Sequence, residues 1–288
     1  MYGPDIMARS ISVPTIKDKF GNIWQYHSQS DRHSKIACWA IMFDLLQHCP
    51  LLRAHVEAGK VGFGINHEMR DFQTNRKKVL DLVICTPRKA SADSATKTSA
   101  VNEFKGLARS CGVVLTSAEE AVLNSLPKVL VVPVGSVNVA LEAKATMTAH
   151  IKALPRLHDE LDSSHLTVHG HADSAIASAL VTINASELFI STSNNKREIR
   201  PETATWNKEP QPKAAERTVA KVREIRRRSK GGDQGFDAIG IVLIDFKNDG
   251  SPCTISESLP APKLDDPDHY GNMIERIASL YAAKFAAF

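Results

Sequence analysis

The chain has 288 residues, and 36 Lys and Arg against 32 Asp and Glu leave a formal net charge of +4. With 43% hydrophobic and 24% charged residues, the composition excludes a disordered, collagen-like or coiled-coil chain and predicts one elaborated globular domain over 1–288, single cores growing to about 250–300 residues. The longest apolar runs, residues 129–134 and 239–244, fall far short of the ~18 residues a membrane span needs, so no membrane partner is expected.

Residues 1–12 lack an apolar stretch behind a basic start, so no secretory signal is expected. Cys38, Cys49, Cys85, Cys111 and Cys253 contain no C-x-x-C pair and read as reduced thiols of a cytoplasmic protein, with Cys38 and Cys85 in the core. The first strong pattern is a helix over 35–48, where Ile36, Trp39, Met42, Phe43 and Leu46 recur at helical spacing before Pro50. A second helix over 51–58 stops at Gly59, a strand follows over 61–67, and the aliphatic run 79–85, interrupted only by Asp81, predicts a buried strand. Residues 87–100, rich in Ala, Ser, Thr and Lys, predict a loop or mobile insertion. Ser117, with Glu119 and Glu120 behind it, reads as the N-cap of a short helix over 117–126.

Two β-type runs, 128–134 and 136–144, are expected on either side of Gly135. The pattern over 146–161 is helical, with Pro155 expected to kink or divide it. Strands are expected over 176–183 and 188–191, a polar linker or protruding loop over 194–212, and a basic helix over 214–228. The most hydrophobic strand of the chain, 236–246, precedes an amphipathic helix over 270–288. Helices and strands alternate throughout without an internal repeat, which places the chain in the α/β or α+β class.

Chemistry concentrates at Asp81 and in the run from Ser136 to Lys144. Side chains two apart on a strand share a face, so Val137, Val139, Leu141 and Ala143 are expected on one side, with Asn138, Glu142 and Lys144 on the other. A carboxylate and an ammonium are then held side by side. Charges at the end of an apolar strand require partners, and Asp81 is the natural third member. Two converging carboxylates make a hard oxygen site suited to Mg²⁺, and the neighbouring lysine can orient, or help deprotonate, a water attacking a phosphodiester.

An acid on a buried strand followed by E-x-K at a strand end resembles the PD-(D/E)xK nuclease superfamily, which includes many restriction enzymes. Its core runs helix, three strands, helix, strand, and the elements at 35–48, 61–67, 79–85, 136–144, 146–161 and 176–183 follow that order. Val131-Val132-Pro133-Val134-Gly135-Ser136-Val137 leading into Glu142-Ala143-Lys144 also resembles the stretch before E-A-K in second-messenger-activated nucleases of bacterial antiphage systems. Leu80 stands where the family has Pro, and the long interval from Asp81 to Glu142 makes 87–128 an insertion beside the one at 194–212.

The resemblance implies an α/β fold, a restriction-endonuclease-like core with a central mixed sheet flanked by helices. It implies a Mg²⁺-dependent DNA endonuclease, Mn²⁺ being the alternative ion, either a type II restriction enzyme or an antiphage defence nuclease. Asp81, Glu142 and the Ala143 carbonyl would hold the metal, and Lys144 would stand beside the attacking water. A cyclic-oligonucleotide-activated effector and an inactive nucleic-acid-binding protein of the same fold remain the alternatives. Cutting both strands of double-stranded DNA with one site per chain implies a homodimer or higher oligomer.

Other candidates are less specific. Asp44 or Glu68 could help as the further acid that some family members place on the first helix, though each reads first as an ordinary solvated or capping residue. His150, Lys152 and Arg156 lie on a helix starting beside the site, in reach of phosphate, and Arg226, Arg227 and Arg228 extend a basic helix that could follow a DNA backbone. His165, His169 and His171 lack thiol or acidic partners at zinc spacing and read as loop histidines.

Overall fold

The computed structural model describes residues 1–72, 75–88, 101–199 and 201–287. The expected loop at 87–100 lies outside them from residue 89 onward, as do Arg200 of the expected linker and Phe288 of the expected last helix. In chain order the elements are α1 (Gly3–Ile11), β1 (Ile16–Lys17), β2 (Ile23–Trp24), α2 (Arg32–His48), α3 (Pro50–Glu57), β3 (Gly62–Arg70), β4 (Lys77–Pro87), α4 (Phe104–Cys111) and α5 (Ser117–Ser125). They continue as β5 (Val134–Thr146), α6 (His150–His171), β6 (Ile176–Asn184), β7 (Leu188–Ile190), β8 (Trp206–Lys208), α7 (Lys213–Arg223), β9 (Ala238–Asp245), β10 (Thr254–Ile255) and α8 (Tyr270–Phe285).

The fold is α/β, with a mixed six-stranded sheet ordered β10-β9-β6-β5-β4-β3 and helices on both faces. β3, β4 and β5 are antiparallel neighbours, whereas β5, β6 and β9 run parallel, which requires the crossovers through α6 and α7. β6 is buried along its whole length and accordingly reads as continuous apolar and small residues. Among the described residues no helix is long and apolar enough to cross a membrane.

One apolar core lies between the sheet and α1, α2, α4 and α8, and a second between the sheet and α6 and α7. α2 is apolar nearly all round because it is enclosed nearly all round. Its Trp39 stacks between Phe43 and Phe104, with ring centroids 5.1 and 4.7 Å away, and donates from Nε1 to the Phe104 carbonyl at 3.1 Å. α4 therefore belongs to the core, although the sequence pattern placed it inside an insertion.

Several expectations are corrected. β5 is one strand through Gly135, because the chain accommodates two irregularities in its pairing with β4. Ile84 pairs with Val139 but Cys85 with Val137, so Asn138 is an extra residue and Val137 turns to the α6 face. Gly135 sits where a Cβ would meet the backbone of Thr86 and Arg88 at 2.9 Å, a close approach only glycine permits. Residues 128–133 form no strand and cross the start of β3, the Phe63 N–H donating to the Leu130 carbonyl at 3.0 Å.

α6 is not divided at Pro155. The proline and Ile151, whose carbonyl loses its helical donor, are both solvent-exposed, while the buried residues from Leu157 to Val168 hold the helix onto the sheet beyond them. The same helix continues to His171, so His165, His169 and His171 are helical rather than in a loop. α7 ends at Arg223, because the chain turns back to pair Arg228 N with Phe236 O at 2.9 Å. Residues 194–212 include β8, which pairs with β7. The N-cap of α5 is Thr116, in a reciprocal capping box with Glu119. All five cysteines are free and buried.

Asn184, at the end of β6, uses its whole hydrogen-bonding capacity inside the protein. Its Nδ2 donates to Met147 O at 2.9 Å and Phe246 O at 2.7 Å, while Oδ1 accepts from Ser186 N and Phe246 N, each at 3.1 Å. Asn184→Ala leaves these buried backbone groups unpaired and is expected to cost about 2–4 kcal/mol. A fall in the urea midpoint at unchanged m-value measures it, and an unshifted midpoint would contradict it.

Candidate active site

Beyond its two irregularities the β4–β5 ladder runs from Ile84 opposite Val139 to Leu82 opposite Leu141 and then opens. At that opening the Ala143 N–H donates at 3.0 Å to Asp81 Oδ2. The N–H and C=O of one residue in an extended strand point to the same side, so the Ala143 carbonyl faces the same gap. Asp81 Oδ1 accepts from Ser34 Oγ at 2.9 Å, which ties the carboxylate to the first turn of α2. Both oxygens of Asp81 are thereby oriented, each with a lone pair to spare.

Glu142, only 2% exposed, lies behind the floor of the site. Its Oε1 is 2.8 Å from Lys144 Nζ and 3.6 Å from Lys78 Nζ, whereas its Oε2 is buried with no partner among the described residues. Lys144 Nζ is also 3.2 Å from Glu160 Oε2, and Glu160 Oε1 accepts from Arg156 Nε at 2.6 Å. The result is a chain of alternating charge from Lys78 through Glu142, Lys144 and Glu160 to Arg156, running from β4 across β5 to α6.

Burial raises the Glu142 carboxyl above its ordinary range, with Asp81 adding to the rise and Lys144 and Lys78 opposing it. Burial alone would lower Lys144, but Glu142, Glu160 and Asp81 outweigh it and raise the ammonium. The charged form of Lys144 is thereby favoured, and as an ammonium it can donate hydrogen bonds. Burial would raise Glu160, yet Arg156 and Lys144 hold it below the usual range.

Lys144, Glu160 and Arg156 open onto a cleft of about 410 Å³ with Asp81, Ala143 and Lys144 in its floor. His33 and Ser34 of α2 form one wall, Arg156 and Glu160 of α6 the other. A larger hollow, about 960 Å³, lies between the start of α8 and the outer edge of β9 and touches none of these residues.

Asp81, Glu142, Ala143 and Lys144 are thus brought together, and Arg156 joins them. His150 begins the same helix but is fully buried, its Nε2 2.9 Å from the Asn184 carbonyl and its Nδ1 3.3 Å from Glu209 Oε2. Lys152 is exposed and lines none of the hollows described. Asp44 is buried far along α2, where it accepts from Tyr2 N at 3.0 Å and Gly3 N at 2.8 Å, and Glu68 pairs with Lys77 at 3.0 Å. Neither acid reaches the cleft.

Arg228 is buried and held by Asp173 at 2.6 Å and His169 Nδ1 at 2.7 Å, Arg227 is bound to Asp268, and Arg226 donates to Gln234 at 2.9 Å. His165 lies 3.3 Å from Asp162, and His171 Nδ1 lies 3.0 Å from the Arg70 carbonyl.

His33, Ser34, Lys78 and Glu160 were not singled out by the sequence. Glu160 had a faint signal as the i+4 partner of Arg156, but Ser34 and His33 read only as residues near a helix start.

Among the described residues no three or more His, Cys, Asp or Glu side chains gather as a metal cluster. The donors present, two carboxylates and a carbonyl, nevertheless fit a hard divalent cation that keeps its own waters, and the orphaned Glu142 Oε2 is a buried oxygen in want of a positive partner. No family model matches the chain, nor does any curated protein or solved structure.

Burial, with Lys144 adding and Asp81 opposing, lowers His33 from 6.5 to about 4. The unfolded chain therefore binds the extra proton between those values, and this group's contribution to stability rises with pH through that window and is level above it. Urea denaturation at a series of pH values should show wild type gaining on His33→Gln from pH 4 to 6.5; a constant difference would refute the shift.

Proposed function

We propose that this protein is a metal-dependent DNA endonuclease whose core is built on the plan of the PD-(D/E)xK nucleases. The observation that carries the reading is the buried Glu142, paired with Lys144 and bearing an unpartnered oxygen, beside an Asp81 that is oriented by the opening of the ladder. The order α2, β3, β4, β5, α6, β6 supports it, with the acid on the second of these strands and E-x-K on the third. In this reading Mg²⁺, or Mn²⁺ in its place, is held by Asp81, Glu142 and the Ala143 carbonyl. Double-stranded DNA is the substrate, the working form is a homodimer or higher oligomer, and the setting is prokaryotic defence in the cytoplasm.

The bound ion would supply positive charge at the scissile phosphate and a more acidic water. The protein residues do the rest. Ser34 and the Ala143 N–H fix the rotamer of Asp81, and Lys78 offsets part of the charge of Glu142 so that it tolerates burial as a carboxylate. Lys144, as an ammonium, orients the attacking water by donating to it and meets the negative charge that builds on the phosphate. Arg156, on the opposite wall, is placed to grip a phosphate oxygen, so that positioning and charge stabilisation act from two sides.

Incubation with plasmid DNA and Mg²⁺ or Mn²⁺, with and without cyclic oligonucleotides, tests the proposal directly. Asp81→Asn and Glu142→Gln should retain the wild-type circular dichroism spectrum and lose cleavage, and EDTA should stop the wild-type enzyme. A variant that cuts at the wild-type rate removes its residue from the site. Binding without any cleavage would instead identify a nucleic-acid-binding protein of the same fold.

Lys144→Met should lose chemistry and keep assembly. It preserves most of the side-chain volume and both carboxylates, but removes the ammonium, for which a loss of roughly 10²-fold or more in single-turnover rate is expected. A DNA titration in Ca²⁺ measures binding separately. Normal cutting, or a defect confined to DNA binding, would refute the role given to this lysine.

A further inference from the structure

The catalytic cleft does not end at its own rim. Ser28, Thr192 and Ser193 line it and also line a second groove of about 650 Å³, which runs onto the β1–β2 hairpin. That groove is edged by Lys17, Lys19 and Lys196, all exposed and none in an ion pair among the described residues. The contrast with Arg223, Arg227 and Arg228 is plain, since each of those is matched to an aspartate.

The acid in the groove, Asp18, forms no ion pair with the lysines and leaves a net positive charge among these four groups. Its oxygens accept from Phe20 N at 2.8 Å, Asn22 Nδ2 at 2.8 Å and Trp24 Nε1 at 2.7 Å, all within the hairpin. The lysines are also held in a common frame. Asn22 Nδ2 donates to Arg197 O at 2.8 Å and its Oδ1 accepts from Ile199 N at 2.9 Å, fastening the segment that carries Lys196 to the hairpin that carries Lys17 and Lys19. Lys19 Nζ lies 5.2 Å from the Phe20 ring centroid, a cation–π contact.

We propose that this groove binds the phosphodiester backbone of the DNA strand that leads into the cleft. Unpaired ammonium groups beside hydroxyls, in an open channel continuous with the site of phosphodiester chemistry, are the elements of an electrostatic track for a polyanionic strand. A strand long enough to lie along both grooves engages the lysines and the cleft together, which a small free nucleotide cannot do. The inference rests on the endonuclease reading and replaces the arginine run at 226–228 with Lys17, Lys19 and Lys196 as the phosphate contact.

The test is the variant Lys17→Gln, Lys19→Gln, Lys196→Gln, set beside the charge-matched control Lys105→Gln, Arg109→Gln, Lys128→Gln, whose residues line neither groove. Fluorescence anisotropy with a short labelled duplex in Ca²⁺, repeated over a salt series, gives the slope of log affinity against log salt. The groove variant should bind more weakly, with that slope reduced by about 2–3, while the control matches wild type. Equal slopes in wild type and groove variant, or an equal drop in the control, overturn the proposal. A wild-type chain that neither binds nor cuts DNA overturns this proposal and the endonuclease reading together, whereas a groove variant that binds like wild type overturns the groove alone. If cyclic di-AMP or cyclic tri-AMP binds wild type and not the groove variant while duplex affinity is unchanged, the groove is a small-ligand site and the proposal fails.

Discussion

The backbone N–H of Ala143 is held by the Asp81 carboxylate, and the centre of the molecule is organised around that substitution. A sheet that stayed zipped past Leu82 and Leu141 would leave no gap between β4 and β5 and no carboxylate aimed into one. Because the carboxylate accepts the donor, the ladder opens without stranding the Ala143 N–H, whose burial unpaired would cost about 1–3 kcal/mol. Ser34 completes the arrangement from the helix side, so the orientation of Asp81 is set by the packing of α2 against the sheet as much as by β4.

Glu142 poses the opposite problem. It is buried in the sheet with one oxygen unpartnered, a situation that carries a desolvation penalty and raises its pKa. Lys144 and Lys78 offset part of that penalty without removing it. Strongly shifted groups concentrate at functional sites, and the gathering of a raised carboxyl and a raised ammonium beside a cleft is the reason for reading this place as a candidate site of chemistry.

Much of this was visible in the sequence because strand alternation is rigid. The two-residue period put Glu142 and Lys144 on one face, and an Asp inside an aliphatic run could be there only with partners. What alternation cannot foresee is an extra residue. The bulge at Asn138 reverses the facing of everything before it, which is why Val137 lies in the core opposite to Val139. The length of α6 was hidden for a different reason: Pro155 is a breaker by local rules, and only contacts made beyond it by Leu157, Leu161 and Val168 keep the helix whole. The arginines at 226–228 show the limit of reading charge along a chain. Arg228 is committed to Asp173, distant in sequence, and nothing local to the run announces that partner. His33, Ser34 and Glu160 were silent because their membership depends on which helix ends meet the sheet opening, a tertiary fact.

The link from Lys144 through Glu160 to Arg156 has a further consequence. The cleft already contains an anion of its own: the Glu160 carboxylate occupies the two cations that any incoming anion would seek. Arrival is therefore an exchange of guests, with one negative group evicted as another is seated, and the net gain is the difference between the two attachments rather than the whole of either. On the endonuclease reading, a singly charged small anion would bring no more charge than the resident carboxylate already supplies. On the same reading, a DNA backbone would bring additional charges that Glu160 cannot match, so the internal occupant would act as a threshold favouring long, multiply charged molecules over the abundant small ones.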